Sequence, residues 1–222
     1  MARQMPALGD ALARGVDKAV SIAEAGELVR LSASRGDVAF MELYPARMEA
    51  LYEMAFLRAF IAWEVFLEDS FVRYLCGYES SRGPVSLIKP PFPTLDDARA
   101  DVLDGHDFVS WQRTGTILRR CRKYMLPLTI GATSVRSFHE EVIVSNQARL
   151  DSLAAVRNRV AHRSAHSKQE FDTATMLLAG RRYRAGAPGR FLRDWAPLTM
   201  PRQRWLRVLA MELCTLASQI VP

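Results

Sequence analysis

The sequence predicts an all-α protein: a bundle of helices in a single domain spanning residues 1–222, with little sheet. Three observations carry that expectation. Apolar residues recur at intervals of three and four along most of the chain. One such run extends from Pro45 to Cys76, far longer than a strand. Composition is that of an ordinary globular protein, 49% hydrophobic and 24% charged over 222 residues, with no low-complexity tract or fixed-period repeat. A chain of that size can bury a sizeable core, and disorder is not expected.

The elements follow in order. Val16, Val20, Ile22, Ala23, Leu28 and Leu31 place a first helix over Leu12 to about Ser34, stopping before Arg35-Gly36-Asp37. Residues 1–40 are thereby expected as an N-terminal helical extension. Arg14, Asp17, Lys18, Glu24 and Glu27 deny this stretch the unbroken apolar core of a signal peptide. The longest helix is expected from Pro45 to Cys76, with Gly77 at the position where a left-handed residue closes a helix. Its centre is apolar nearly all round, so neighbouring helices or a second subunit must cover it. On a 3.6-residue repeat Glu53, Glu64 and Glu68 fall within about 60° of one another, a stripe of carboxylates.

Residues 78–110 read as a loop-rich insertion with room for short helical pieces, because Lys89-Pro90-Pro91-Phe92-Pro93 forbids regular helix. Trp111 to Tyr124 is expected as a short helix, followed by a break over Leu126-Pro127-Leu128-Thr129-Ile130-Gly131. Ser137 with Glu140 three residues on is a capping-box pattern. From it one helical stripe of Val142, Ile143, Leu150, Leu153, Ala154 and Val156 leads to residue 162. A short helix over Phe171–Leu178, a basic loop from Gly180 to Pro188 and a terminal helix from Arg202 to Ile220 complete the chain.

No segment is expected to span a membrane, since the most apolar stretch, Met54 to Leu67, is interrupted by Arg58 and Glu64. Three widely spaced cysteines, Cys76, Cys121 and Cys214, suit reduced, mostly buried thiols in a cytoplasmic protein. The net charge of +6 is unevenly distributed. Residues 1–111 carry 11 basic and 17 acidic side chains and residues 112–222 carry 19 and 7, so the halves are −6 and +12. Either the C-terminal half faces a polyanion or its cations merely solvate helix surfaces. Two basic runs, Arg119/Arg120/Arg122/Lys123 and Arg181/Arg182/Arg184, have Tyr124 and Tyr183 among them, the arrangement that lets an aromatic ring stack on an unpaired base.

The segment Arg157-Asn158-Arg159-Val160-Ala161-His162 combines a permanent cation, an amide and an imidazole within two turns. Arg can neutralise a phosphate with a bidentate fork, and His can move protons near neutral pH. Asn158 and His162 share a face at i, i+4, whereas Arg157 and His162 lie about 140° apart on a continuous helix. Their convergence on one phosphate requires the helix to end or bend there, or a second subunit to complete the site. RNA supplies its own nucleophile, the 2′-hydroxyl, so acid–base help and charge neutralisation suffice without a metal or cofactor.

This string resembles the R-[N/D/H]-x-x-x-H form of the motif of the HEPN superfamily, small all-α proteins many of which are metal-independent ribonucleases in toxin–antitoxin, abortive-infection and CRISPR-linked systems. The resemblance covers about Pro45 to Ile220. It implies a core of four to five helices and a homodimer in which both motifs meet in one RNA-cleaving cleft. By position it gives Arg157 phosphate binding, His162 acid or base catalysis and Asn158 their orientation. Arg159 and Arg163 extend the phosphate surface or are simply solvated, and Glu64 orients the motif's cations or is surface charge. It further implies RNA as substrate and an antitoxin or defence-system partner. A toxin subgroup has Tyr two residues after the His, where this chain has Ser164. The alternative is a non-catalytic helical module of the same kind that binds RNA, a nucleotide or a protein partner, with Arg157 paired to a carboxylate and His162 capping the helix. His166, four residues beyond His162, lacks a third ligand at metal-binding spacing.

Overall fold

A computed structural model describes residues 3–130, 133–197 and 199–222. The chain is all-α. Ten helices are present among the described residues: α1 (Leu8–Ser32), α2 (Val38–Glu42), α3 (Pro45–Leu75), α4 (Leu95–Leu103), α5 (Thr114–Tyr124), α6 (Phe138–Ser145), α7 (Gln147–Ala161), α8 (Ala165–Ala179), α9 (Pro188–Arg193) and α10 (Trp205–Ile220). A 3₁₀ turn occupies Arg184–Gly186. Among the described residues strand is confined to two short pairs, β1 (Arg3–Gln4) parallel to β2 (Tyr78–Glu79) and β3 (Leu128–Ile130) antiparallel to β4 (Thr133–Val135). None of the described helices is long and apolar enough to cross a membrane.

Contacts divide the chain into two compact units, one of residues 1–12, 63–150 and 214–222 and the other of residues 13–62 and 151–213. In the first, Trp63, Phe66, Leu67, Phe71, Tyr74, Ile117, Phe138 and Ile143 form the core. Tyr74 donates to the Ile220 carbonyl at 3.0 Å, which satisfies a hydroxyl that burial would otherwise penalise. In the second unit the core is Val16, Val20, Met48, Tyr52, Phe56, Phe60, Leu153, Val156, Phe171, Phe191, Leu206 and Leu209.

The long helix starts at Pro45 as expected and ends at Leu75, one residue before the expected Cys76. Gly77 stands at φ 75°, a left-handed conformation that costs a non-glycine residue energy. Most of α3's apolar residues are covered, although Met54, Ile61 and Val65 remain exposed. Its carboxylate stripe is half-buried and put to use within each unit: Glu53 accepts from the Gly189 amide at 3.0 Å, and Glu68 accepts from the Trp111 indole at 3.0 Å.

Three departures from expectation have local causes. The stripe from Ser137 to residue 162 is two helices, α6 and α7. Asn146 leaves helical geometry at φ −121°, ψ 19° while its side-chain amide donates to the Val142 carbonyl at 2.9 Å, a local bond that competes with the helical ladder. The helix expected at Phe171 begins six residues earlier, because Ser164 accepts the Ser167 amide at 3.1 Å and caps it. α2 and α9 lie where a loop or no element was expected; Pro188, pre-set for a first helical turn, starts α9. Within 78–110 only α4 is helical, capped by Thr94, which accepts the Asp97 amide at 3.1 Å. The Ser137 hydroxyl accepts the Glu140 amide at 3.2 Å, but the Glu140 carboxylate accepts from the Arg136 amide and not from that of Ser137. The break ending at Gly131 includes β3; Gly131 itself lies outside the described residues.

Candidate functional site

α7 carries the motif in its last turns and ends at Ala161. The His162 amide still donates to the Asn158 carbonyl at 2.8 Å, so His162 is the residue at which the ladder stops. Its ring is exposed, and among the described residues it has no hydrogen-bond or ion-pair partner. Arg163, next in the chain, is likewise exposed and unpaired among those residues. Arg157, Asn158 and Arg159 are half-buried, and the Arg157 Nε atom is fully withdrawn from solvent. The connection to α8 is only His162–Ser164, and it is pinned. Ser167 Oγ donates to the His162 carbonyl at 2.5 Å while its amide donates to Ser164. The imidazole therefore projects from a fixed backbone into solvent.

Arg159 has a different job from the one its sequence position suggests. Its Nε donates to the Gly186 carbonyl at 2.9 Å and its Nη1 to the Ser164 carbonyl at 3.1 Å. Two directions of the guanidinium fork thus brace the end of α7 against the 3₁₀ turn and the start of α8. Gly186 sits at φ 59°, and a Cβ there would lie 2.9 Å from Lys168 Cγ, so the turn depends on glycine. Glu64 is half-buried on α3, in the other unit from the motif. His166 pairs with Glu170 at 3.2 Å along the exposed face of α8. Among the described residues no three His, Cys, Asp or Glu side chains gather as a metal-binding group.

The two basic runs are used differently. On α5, Arg120 donates to the Val102 carbonyl at 2.7 Å, Arg122 pairs with Glu140 at 3.3 Å and Lys123 with Asp104 at 3.0 Å. Two of the four cations of that run are thus paired with carboxylates within its own unit, while Arg119 is exposed with no partner among the described residues. Around 181–184, Arg181 is tied to Asp194, but Arg182 and Arg184 are exposed with no partner among the described residues. Neither interleaved tyrosine can act as a stacking platform, because both are buried. Tyr124 donates to the Asp101 carbonyl at 2.9 Å and Tyr183 to Asp194 at 2.7 Å. Burial, with the hydrogen bond to Asp194, pushes the Tyr183 phenol up to about 12.

An aromatic exposed beside the second run is Trp195, 40% exposed, with the Arg204 and Arg202 guanidinium carbons 4.4 and 4.9 Å from its ring centroid. It escaped the sequence analysis, although the density of arginines from 190 to 207 was there to be counted. Several of these arginines answer the acidic N-terminal half. Glu27 accepts from Arg193 at 3.0 and 2.9 Å and from Arg204 at 2.9 Å, and Arg207 forks onto Glu24 at 2.7 and 2.5 Å. Burial works to raise the Glu27 carboxyl, but the hydrogen bond from Arg193 and the charges of Arg204, Arg193 and Arg30 outweigh it and hold it below the ordinary value. Comparison with protein-family models, with curated proteins and with solved structures finds no match to this chain.

Proposed function

We propose that this chain is a metal-independent endoribonuclease of HEPN type, acting as a homodimer in a prokaryotic toxin–antitoxin or anti-phage defence system. The observation that carries the reading is the end of α7 at Ala161, which leaves the His162 ring exposed and without a partner among the described residues, one turn beyond Asn158 and Arg157. A helix end is one of the arrangements, beside a bend or a second subunit, by which Arg157 and His162 can reach one phosphate. In the proposed reaction the 2′-oxygen of RNA attacks the adjacent phosphorus and the 5′-oxygen leaves. One His162 takes the 2′-hydroxyl proton and the second copy's His162 protonates the departing oxygen, giving a 2′,3′-cyclic phosphate and a 5′-hydroxyl end. Arg157 neutralises the phosphate and Asn158 orients the pair. Arg163 extends the phosphate surface; Arg159 serves as a brace.

The test is cleavage of RNA in EDTA by the wild type, His162→Ala and Arg157→Ala. General acid–base help contributes about 10²- to 10⁴-fold, so each variant should lose at least about 10²-fold while remaining folded. Activity that survives both substitutions refutes the mechanism. A second reading, a helical module that binds RNA, nucleotide or protein without catalysis, is favoured by the burial of Arg157 Nε, which withdraws part of the guanidinium from any substrate. A wild type that cuts none of a varied set of RNAs supports it.

A further inference from the structure

Two adjoining openings in the unit of residues 13–62 and 151–213 have Trp195 in the wall of both. One, of about 790 Å³, is lined by Arg181, Arg182, Arg184, Arg190, Arg193 and Arg204 against the two carboxylates Glu49 and Asp194. The other, of about 590 Å³, shares Arg181, Tyr183, Asp194 and Trp195 with the first and adds Arg202. The arginines fall into two sets. Arg193 and Arg204 are half-buried on Glu27, and Arg181 is held by Asp194. Arg182, Arg184 and Arg190 are exposed and have no partner among the described residues. A set of exposed cations beside an exposed indole is chemistry for a ligand that offers both phosphates and unpaired planar bases.

We propose that the two openings around Trp195 form a track for single-stranded RNA, phosphates lying on Arg182, Arg184 and Arg190 and a base against Trp195. This rests on RNA being the substrate, as proposed above, and adds where the strand runs. Duplex RNA keeps its bases inside and would leave the exposed part of the Trp195 ring unused; an acidic peptide would use the cations alone. The track also joins the motif physically. Arg184 opens the 3₁₀ turn whose Gly186 carbonyl is held by Arg159, and the same guanidinium holds the Ser164 carbonyl two residues after His162. A strand seated on Arg184 therefore lies on the element braced to the catalytic helix end.

The experiment is binding of a fluorescently labelled 2′-O-methyl oligoadenylate, which lacks the attacking hydroxyl, to the full chain by anisotropy over a range of salt. The combined variant Arg182→Ala/Arg184→Ala/Arg190→Ala should weaken binding at least about tenfold and lower the salt slope by about 2, since each single-strand phosphate contact contributes about 0.7. The triple lysine variant should keep the slope, which separates charge from fold. Trp195→Ala should weaken binding about tenfold and Trp195→Phe should restore most of it. Failure of the wild type to bind, an unchanged affinity and slope in the triple alanine variant, or equal competition by polyglutamate or duplex RNA overturns the track. A wild type that binds through these residues yet cuts no RNA refutes the ribonuclease alone. Cleavage with unchanged KM in the triple alanine variant refutes the track alone.

Discussion

His139 offers the sharpest test of the packing in the first unit. It is 0% exposed, with Phe71 and Tyr74 edge-on at ring separations of 5.5 and 5.7 Å. Its Nε2 lies 2.9 Å from Ser70 Oγ, which itself donates to the Phe66 carbonyl at 2.7 Å. Ser70 has one hydrogen and gives it to Phe66, so Nε2 must be the donor and Nδ1 carries no proton. Burial drives the imidazole down to about 3, with a backbone hydrogen bond working weakly the other way. Protonation therefore favours the unfolded chain. The stability held by neutral His139 is complete above about pH 6.5, the unfolded value, and is lost as pH falls from there toward 3. At about 1.4 kcal/mol per unit, acidification from pH 7 to pH 5 should cost about 2 kcal/mol through this residue alone. His139→Gln retains a donor for Ser70 and has no proton to gain. Urea unfolding at the two pH values should show the variant less stable at pH 7, through lost ring contacts, but losing about 2 kcal/mol less than the wild type on acidification. Equal losses in both proteins would refute the assignment of a buried neutral imidazole.

Further outcomes follow from other contacts. Glu27→Gln leaves Arg193 and Arg204 half-buried against a neutral acceptor, and should lower unfolding free energy by about 3 kcal/mol, read from denaturant midpoints. Because the Glu27 carboxyl is held below its ordinary value, its contribution is present above about pH 4.5 and fades as pH falls further. A Cβ at Gly189 would lie 2.3 Å from the Glu49 carbonyl oxygen, whereas one at Gly115 meets nothing within 4 Å. Gly189→Ala should destabilise by about 2 kcal/mol or more and Gly115→Ala should stabilise by about 0.5 kcal/mol, measured as opposite shifts in Tm. Thiol reagents should label Cys214, the half-buried cysteine, in the native protein and all three in denaturant. Cys76 is buried, and burial pushes the Cys121 thiol up to about 12.

Long-period features were the legible part of the sequence. α3 announced itself because 31 residues of helical periodicity and Gly77 agreed. The apolar stripe leading to residue 162 placed the motif near a helix end, and α7 does end at Ala161. What escaped was decided by single hydrogen bonds: Asn146 onto Val142 splitting one helix into two, and Ser164 onto Ser167 starting α8 early. Charge was legible as a sum and illegible as a map. The run at 119–123 looked like the run at 181–184, yet neighbouring carboxylates and a carbonyl occupy Arg120, Arg122 and Lys123 in the first, whereas in the second only Arg181 is tied and Arg182 and Arg184 stay open. Tyr124 and Tyr183 misled because sequence adjacency to cations says nothing of which way a ring points.

The carboxylates of α1 also bear on the order in which the chain acquires its structure. Glu27 waits for partners 166 and 177 residues downstream, and Glu24 for one 183 residues away. During synthesis α1 emerges with neither acid in the ion pair it makes in the folded chain, and this holds until residues 193–207 have been made. Contacts of such separation close loops late and slow the final step. The unit that carries the motif is thus completed only after residues 193–207 exist, so a chain shorter than that holds His162 without the assembled unit around it.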